Sequence, residues 1–289
     1  MIWLKGPALL AALLGFFATG LLWSSPPQAT AQTRGDVVSI GNAVTEIVYA
    51  LGQEHRLAAR DSTSTYPPAA QELPDIGYMR ALSAEGVLSV GPSLILATEG
   101  AGPPEVVAVL KSTGIPFVEV PSGFTADAIA AKIDVIGDAL GAVAPAAALS
   151  AQVRADMAAA TGEDPSTPKR VMFLISAQGG KLMAAGQDTA ADAVIALSGG
   201  INAVSGFSGY KVLEDEAAFA AAPDVVLMMD RGGAHSADAQ TLFALPTLSA
   251  SPAARDQALV KMEGQKLLGF GPRTAEAIRE LRAALYGYH

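Results

Sequence analysis

Two hydrophobic periods alternate along the first part of the chain. Short apolar runs that have the length of buried strands occur at residues 37–40, 57–59, 94–97 and 117–120. Between them apolar positions recur every three or four residues, as in Val44, Ile47 and Leu51, which predicts an amphipathic helix. Asn42 can cap this helix and Gly52 can end it. Strands that alternate with helices predict parallel βαβ units.

The stretch from residue 125 to residue 162 follows a helical period throughout. Ile129, Ile133 and Ile136 lie on one helix face, and little in this stretch favours a strand. Pro145 is the position at which a kink is expected. The pattern predicts a long connecting helix over residues 125–162, which would form a rigid link between two halves and allow only modest lobe movement.

The alternation of strands and helices resumes near residue 170 and repeats the first half. Glu85 and Glu216 each stand seven residues before a proline that leads into an apolar strand, at an offset of 131 residues. A second match, of residues 45–52 with residues 191–198, follows in the same chain order. We therefore predict an α/β fold of two similar parallel-sheet lobes joined by a long helix. Ligand pockets favour the cleft between such lobes, at the carboxyl ends of the strands.

The N-terminus has the pattern of a secretory leader. Lys5 is followed by an apolar stretch at residues 8–23, and the small residues Ala29 and Ala31 form a cleavage signal. The stretch is shorter than a membrane span needs, about 20 residues. The predicted domains are a leader at 1–31, an N-terminal lobe at 32–124, the connecting helix at 125–162 and a C-terminal lobe at 163–289.

Composition narrows the class of protein further. Loss of the leader removes one of 19 basic residues and leaves 28 acidic ones, a net charge of −10. An acidic chain disfavours nucleic acid and anionic lipid as partners. The sequence contains no cysteine, which excludes disulfides, thiol nucleophiles and a lipoprotein anchor. We expect an exported, periplasmic monomer whose mature chain does not insert into the membrane.

Few residues have the spacing that catalysis requires. His55, His235 and His289 show neither HxxxH nor HExxH spacing with another histidine or a carboxylate, and no nucleophile elbow or phosphate loop is present. The most informative segment is the polar loop that ends in Tyr66 and Pro67, directly after a predicted strand. Serine and threonine make it a hydrogen-bonding loop, and the prolines stiffen its C-terminal end. A binding protein is therefore favoured over an enzyme such as a hydrolase.

An ordered set of motifs resembles the periplasmic haem-binding proteins of haem ABC importers, within the helix-linked class of substrate-binding proteins. The motifs are Arg60-Asp61-x-Thr63-Ser64-x-Tyr66-Pro67, Gly77-Tyr78-Met79-Arg80-x-Leu82-Ser83-x-Glu85-Gly86, Gly180-x-Leu182-Met183-x-Ala185-Gly186-x-x-Thr189-x-Ala191-Asp192 and Gly199-Gly200-x-Asn202-Ala203. The resemblance extends from about Val37 to Leu285. It implies haem as the transported ligand, with Tyr66 as the axial ligand of ferric iron, for which a phenolate is a suitable donor.

The resemblance also suggests supporting residues. Arg231 is the expected cation beside the phenolate, Arg60 and Arg80 are candidates for pairing with the haem propionates, and Tyr78 for stacking on the porphyrin. Arg60 could instead pair with Asp61 within the loop. The second-side candidates are His235 and Met183.

Glu85 and Glu216 occupy equivalent positions of the two lobes. In the resembled class, one glutamate on each lobe docks onto the inner-membrane permease dimer, which works with its ATPase. The alternative for both residues is a solvated helix face. The alternative ligands are cobalamin and a ferric siderophore, and a further alternative is a haemophore that acts without a transporter.

Overall fold

The computed structural model describes residues 2–3, 35–230 and 238–287. The predicted leader with its cleavage site near Ala31, and the candidates Arg231 and His235, lie outside the described residues. The described residues from Gly35 onward belong to one compact unit, which includes the described parts of both predicted lobes. Within the described ranges, every helix is too short or too polar to cross a bilayer.

The first lobe is a parallel sheet whose strands match the predicted apolar runs. The strands are β1 (Val37–Ile40), β2 (Leu57–Arg60), β3 (Leu94–Thr98) and β4 (Phe117–Val120). They pair in the order β2-β1-β3-β4 among the described residues. The helices between them are α1 (Asn42–Ala50), α2 (Ala84–Leu88) and α3 (Pro104–Ser112). All four strands end at one edge, since they are parallel.

The connecting segment is helical but forms two helices rather than one. These are α4 (Ala126–Leu140) and α5 (Val143–Thr161). Gly141 ends α4 with a left-handed φ of 69°, which a residue without a side chain adopts at little cost. Pro145 lies in the first turn of α5, where its missing N–H has no helical acceptor to lose. The prediction of one continuous helix was therefore wrong at Gly141, while α5 alone spans 19 residues.

The second lobe repeats the first and adds two strands. Its strands are β5 (Arg170–Ser176), β6 (Met183–Ala185), β7 (Ile201–Asn202), β8 (Tyr210–Val212), β9 (Val225–Asp230) and β10 (Leu259–Glu263). The parallel order β7-β5-β9-β10 reproduces β2-β1-β3-β4. Strands β6 and β8 are antiparallel and extend the edge of β5. The predicted parallel sheet is thus a mixed sheet in this lobe.

The helices of the second lobe complete the repeat. They are α6 (Ala190–Leu197), α7 (Asp215–Ala221), α8 (Ala239–Phe243), α9 (Pro252–Arg255), α10 (Gly264–Leu268) and α11 (Thr274–Tyr286). The predicted match at an offset of 131 residues corresponds to α2 with α7 and β3 with β9. The predicted fold class, an α/β fold of two similar lobes, is confirmed, with the helices α4 and α5 in the connecting segment.

One hydrophobic core joins both lobes through the connecting helices. Ile133 and Ile136 of α4, Phe173 of β5, and Ile278 and Leu281 of α11 are all fully buried in the same cluster. Burial of each such side chain stabilises the fold by about 1.5–3 kcal/mol. Because this cluster belongs to both lobes, their relative movement requires a change in a packed core.

Candidate functional site

A cavity of about 690 Å³ lies where the parallel strands of both lobes end. This volume is within the usual range of ligand pockets, about 300–1,000 Å³. Its lining comes from the residues that follow or end strands β1 to β5, β9 and β10, among them Gly41, Thr63, Thr98, Ser122, Ile175, Met229 and Gly264. The cleft predicted from the repeat is therefore present at the expected edge of both sheets.

Aromatic rings and basic groups line this cavity together. Tyr78 and Phe124 come from the first lobe and Tyr210 and Phe270 from the second. The rings of Phe124 and Phe270 meet across the lobes at a centroid distance of 5.0 Å. Burial raises the pKa of Tyr210. Arg80 also lines the cavity, and its positive charge partly offsets that rise. Such a lining suits a flat apolar ligand that carries anionic groups.

Lys132 is a buried cation in the wall of the cavity. Its ammonium donates to the Phe270 carbonyl at 2.9 Å and to the Gly123 carbonyl at 3.3 Å. Burial lowers the pKa of Lys132 to about 8. Phe270 has a φ of 47°, which is strained for a bulky residue, and the bond from Lys132 holds it there. Sequence reasoning did not identify Lys132, which looks like one more polar position of α4.

The loop that carries Tyr66 is anchored by a buried carboxylate. Asp61 is fully buried and accepts from the Gly41 and Thr63 amides and from the Thr63 and Ser64 hydroxyls at 2.6–3.0 Å. Ser64 bonds in turn to Thr45 in α1 at 2.7 Å. These bonds tie the loop to strand β1 and helix α1, so that Tyr66 projects from a fixed base.

Tyr66 itself packs against an arginine that the sequence analysis missed. The Arg273 guanidinium carbon lies 3.5 Å from the centroid of the Tyr66 ring. Tyr66 remains 41% exposed and is not among the residues that line the cavity, whereas Thr63 of the same loop is. Arg273 stands between Pro272 and the start of α11, a position that reads in sequence as an ordinary helix terminus.

Two carboxylates hold Arg273 in place. Glu46 of α1 accepts from the Arg273 amide and from Nε at 3.0 Å, and Glu263 accepts from Nη1 at 3.0 Å. Burial opposes the charge of Arg273, but both carboxylates outweigh it and raise its pKa. Burial likewise raises the pKa of Glu46 in spite of the arginine. The buried Nη2 has no hydrogen-bond partner among the described residues.

Two further candidates, Arg60 and Met183, are not among the residues that line the cavity. Arg60 pairs with Asp75 at 2.9 Å and donates to the Asp61 carbonyl, with only 11% of its side chain exposed. The alternative of an ion pair between Arg60 and the Asp61 carboxylate is thus wrong, because Arg60 pairs with Asp75 instead and supports the loop. A contact of Arg60 with a haem propionate stays a prediction. Met183 lies half-buried in strand β6, opposite Val212, and not among the residues of the cavity lining.

Glu85 and Glu216 occupy matching positions in the structure. Each is exposed and is the second residue of its helix, α2 or α7. These helices lead into β3 and β9, which are equivalent in the two sheets. The carboxylates therefore form a pair related by the internal repeat.

Known structures resemble the chain over nearly its whole folded part. The periplasmic haem-binding protein BhuT, in complex with two haems, is 40% identical with a TM-score of 0.82, covering 86% of this chain and 97% of that chain. The haem-binding protein RhuT from Roseiflexus sp. RS-1 is 38% identical with a TM-score of 0.83, covering 88% and 98%. HutB of Vibrio cholerae, also haem-binding, is 32% identical with a TM-score of 0.78, covering 88% and 100%.

Sequence relatives extend the comparison to a second ligand. A vitamin B12-binding protein of Yersinia pestis is 32% identical over 126 residues, which is 42% of this chain and 44% of that protein. An ABC transporter substrate-binding lipoprotein of Bacillus subtilis, YvrC, is 24% identical over 255 residues, 86% of this chain and 79% of that protein. Residues 37–265 match the family model described as periplasmic binding protein. The chain therefore belongs to the periplasmic binding protein family, as a solute-binding protein for haem or a related ligand.

Proposed function

We propose that the protein captures haem in the periplasm through Tyr66 and delivers it to an inner-membrane ABC permease. The observation that carries the proposal is the anchored Tyr66 loop, whose Thr63 lines an aromatic, basic cavity. The haem-binding proteins at 40% and 38% identity support the same ligand class.

The chemistry of the site fits ferric haem. A phenolate is a hard anionic donor and a known proximal ligand of haem iron. The Tyr78 and Phe124 rings offer apolar faces to a porphyrin, while Arg80 and Lys132 offer positive charge to its carboxylates. Haem bound at the cavity mouth would contact Tyr66 on one side and this lining on the other.

Cobalamin is the second candidate, because the relative from Yersinia pestis carries that name. A corrinoid brings its own axial ligands, so it gives Tyr66 no role at the metal. A ferric siderophore likewise already saturates its iron. The exposed phenol on a braced loop is therefore better explained by haem.

Titration of the leader-free protein with hemin and with cyanocobalamin distinguishes the candidates. We expect a shifted Soret band with hemin that saturates at a defined stoichiometry, and weaker or undetectable heat of binding with cyanocobalamin. Tight binding of cyanocobalamin without a Soret shift for hemin would overturn the haem proposal and favour the corrinoid.

We also propose that Glu85 and Glu216 dock the protein onto the permease dimer. Charged groups on a rim mainly set orientation and on-rate. Reversal of both to lysine should abolish haem import into vesicles that contain the permease and its ATPase, while hemin binding in solution is retained. The control is Glu105→Lys, which alters an exposed glutamate at the same helix position in α3. Unchanged import by the double variant would remove the docking proposal.

A further inference from the structure

A short part of the second lobe crosses to the first lobe beside Tyr66. We call residues 269–273 the crossing segment. Its Phe270 carbonyl accepts from Lys132, its Phe270 ring packs on Phe124, and its Arg273 pairs with Glu46. The separation of Glu46 and Arg273 in sequence is 227 residues. The crossing segment thus brings a group of the second lobe under a loop of the first.

The charge of Arg273 is already matched before any ligand arrives. Glu46, with 7% of its side chain exposed, and Glu263 both pair with the guanidinium. Two carboxylates on one cation leave no net positive charge for a phenolate. The group that Arg273 presents to Tyr66 is therefore its flat face rather than a counter-charge.

A planar guanidinium can support an aromatic ring by stacking on it, which an ammonium cannot do. Arginine is planar and stacks on aromatic rings, whereas lysine is a compact point charge on a flexible stem. The Glu46 bonds to the amide and Nε of Arg273 fix the orientation of the plane. The guanidinium carbon of Arg273 lies over the Tyr66 ring, 3.5 Å from its centroid.

We propose that Arg273 is a positioning residue for the haem ligand Tyr66. The guanidinium plane, held by Glu46 and Glu263, supports the ring and holds the phenol oxygen in one direction. This inference rests on the proposed function of Tyr66. Because the pairing with Glu46 joins both lobes, the direction of the phenol also depends on the lobes being in contact through the crossing segment.

The test compares the rate at which hemin leaves the protein for an excess of apomyoglobin. Arg273→Lys keeps a cation for Glu46 and Glu263 but removes the plane, and we expect hemin to leave about tenfold faster, the range of one arginine–aromatic contact. Arg279→Ala removes an exposed arginine from the same helix and should leave the rate unchanged. In a Tyr66→Phe background, Arg273→Lys should change the rate less than about twofold, because the iron ligand is absent.

Two outcomes would overturn the inference while the haem proposal stands. One is a wild-type rate for Arg273→Lys, and the other is an equal effect of Arg273→Lys with and without the Tyr66 hydroxyl. If wild-type protein shows no Soret shift with hemin, the proposed function fails. The contact between Arg273 and Tyr66 is then tested without haem by a double-mutant cycle. The free energy of urea unfolding is measured for wild type, Arg273→Lys, Tyr66→Leu and the double variant. Additive stabilities would refute the contact, and coupled stabilities would support it.

Discussion

Asp61 shows how a single buried side chain prepares the site. It is completely buried, yet its carboxylate accepts four hydrogen bonds from a strand end and from its own loop. A buried charge is tolerated when such bonds replace its hydration. The loop before Tyr66 is therefore ordered by Asp61 before any ligand binds.

Asp61→Asn should loosen this loop. One carboxylate oxygen becomes an amide that cannot accept from the Thr63 amide and hydroxyl, at a cost of about 2 kcal/mol. We expect a lower urea midpoint and faster hemin release than for wild type. Asp127→Asn, which alters a carboxylate 86% exposed, is the control. Equal midpoints for Asp61→Asn and wild type would show that the loop is ordered by other means.

Lys132 should make the free energy of unfolding depend on pH in the alkaline range. Its pKa is lowered by burial to about 8, below the value of 10.5 in the unfolded chain. Between pH 8 and pH 10.5 the lysine is protonated in the unfolded chain but largely neutral in the folded protein. The unfolded state therefore binds more protons in this range, and the free energy of unfolding rises with pH there.

Lys132→Met should therefore flatten the pH dependence of unfolding. We expect the free energy of unfolding of wild type to gain, relative to the variant, on the order of 3 kcal/mol from pH 8 to pH 10.5. Urea denaturation at several pH values measures both slopes. Parallel slopes would mean that Lys132 titrates at an ordinary value in the folded protein.

Sequence reasoning identified candidate residues whose signal is local. Tyr78 and Arg80 stand in the loop that follows β2, and both line the cavity, as does Thr63 of the Tyr66 loop. Arg273 and Lys132 carry no local sequence signal, because each is held by a hydrogen bond to a partner more than 130 residues away in the sequence. The ion pair of Arg60 was not predicted for a similar reason: its partner Asp75 lies beyond the Tyr66 loop.

Helices α4 and α5 explain why one predicted helix became two. The hydrophobic period continues through both, so periodicity alone does not locate the break at Gly141. Gly137 is the reason the helices approach closely: a Cβ there would lie 2.3 Å from the Ala146 Cβ. The strands β6 and β8 escaped prediction because three-residue strands have no readable period.

Gly137→Ala should reverse the usual sign of a glycine substitution. In a helix interior, alanine is normally more stabilising than glycine by about 0.5–1 kcal/mol. Here the added methyl would force α4 and α5 apart, and overpacking costs about 1–3 kcal/mol. Thermal unfolding should show a lower Tm than wild type. A raised Tm would mean that the two helices separate freely at this point.

At the scale of the whole molecule, the described residues of the two lobes share a hydrophobic cluster and line a common cavity. The core cluster runs from β1 through α4 and α5 to α11, so the lobes are not packed independently. This arrangement favours small adjustments at the cavity mouth over a wide opening. The repeated sheet could be predicted because the same order of strand and helix patterns occurs twice in the sequence. The crossing segment could not, because it occurs in the second lobe only.

The central claim is that Tyr66 ligates haem iron, and resonance Raman spectra of the hemin complex test it most directly. For wild-type protein we predict an iron–phenolate stretching band together with a ferric high-spin Soret spectrum. Tyr66→Phe, which keeps the ring on Arg273 and removes only the hydroxyl, should lose that band. A phenolate band that persists in Tyr66→Phe, or wild-type hemin bound without one, would contradict the account.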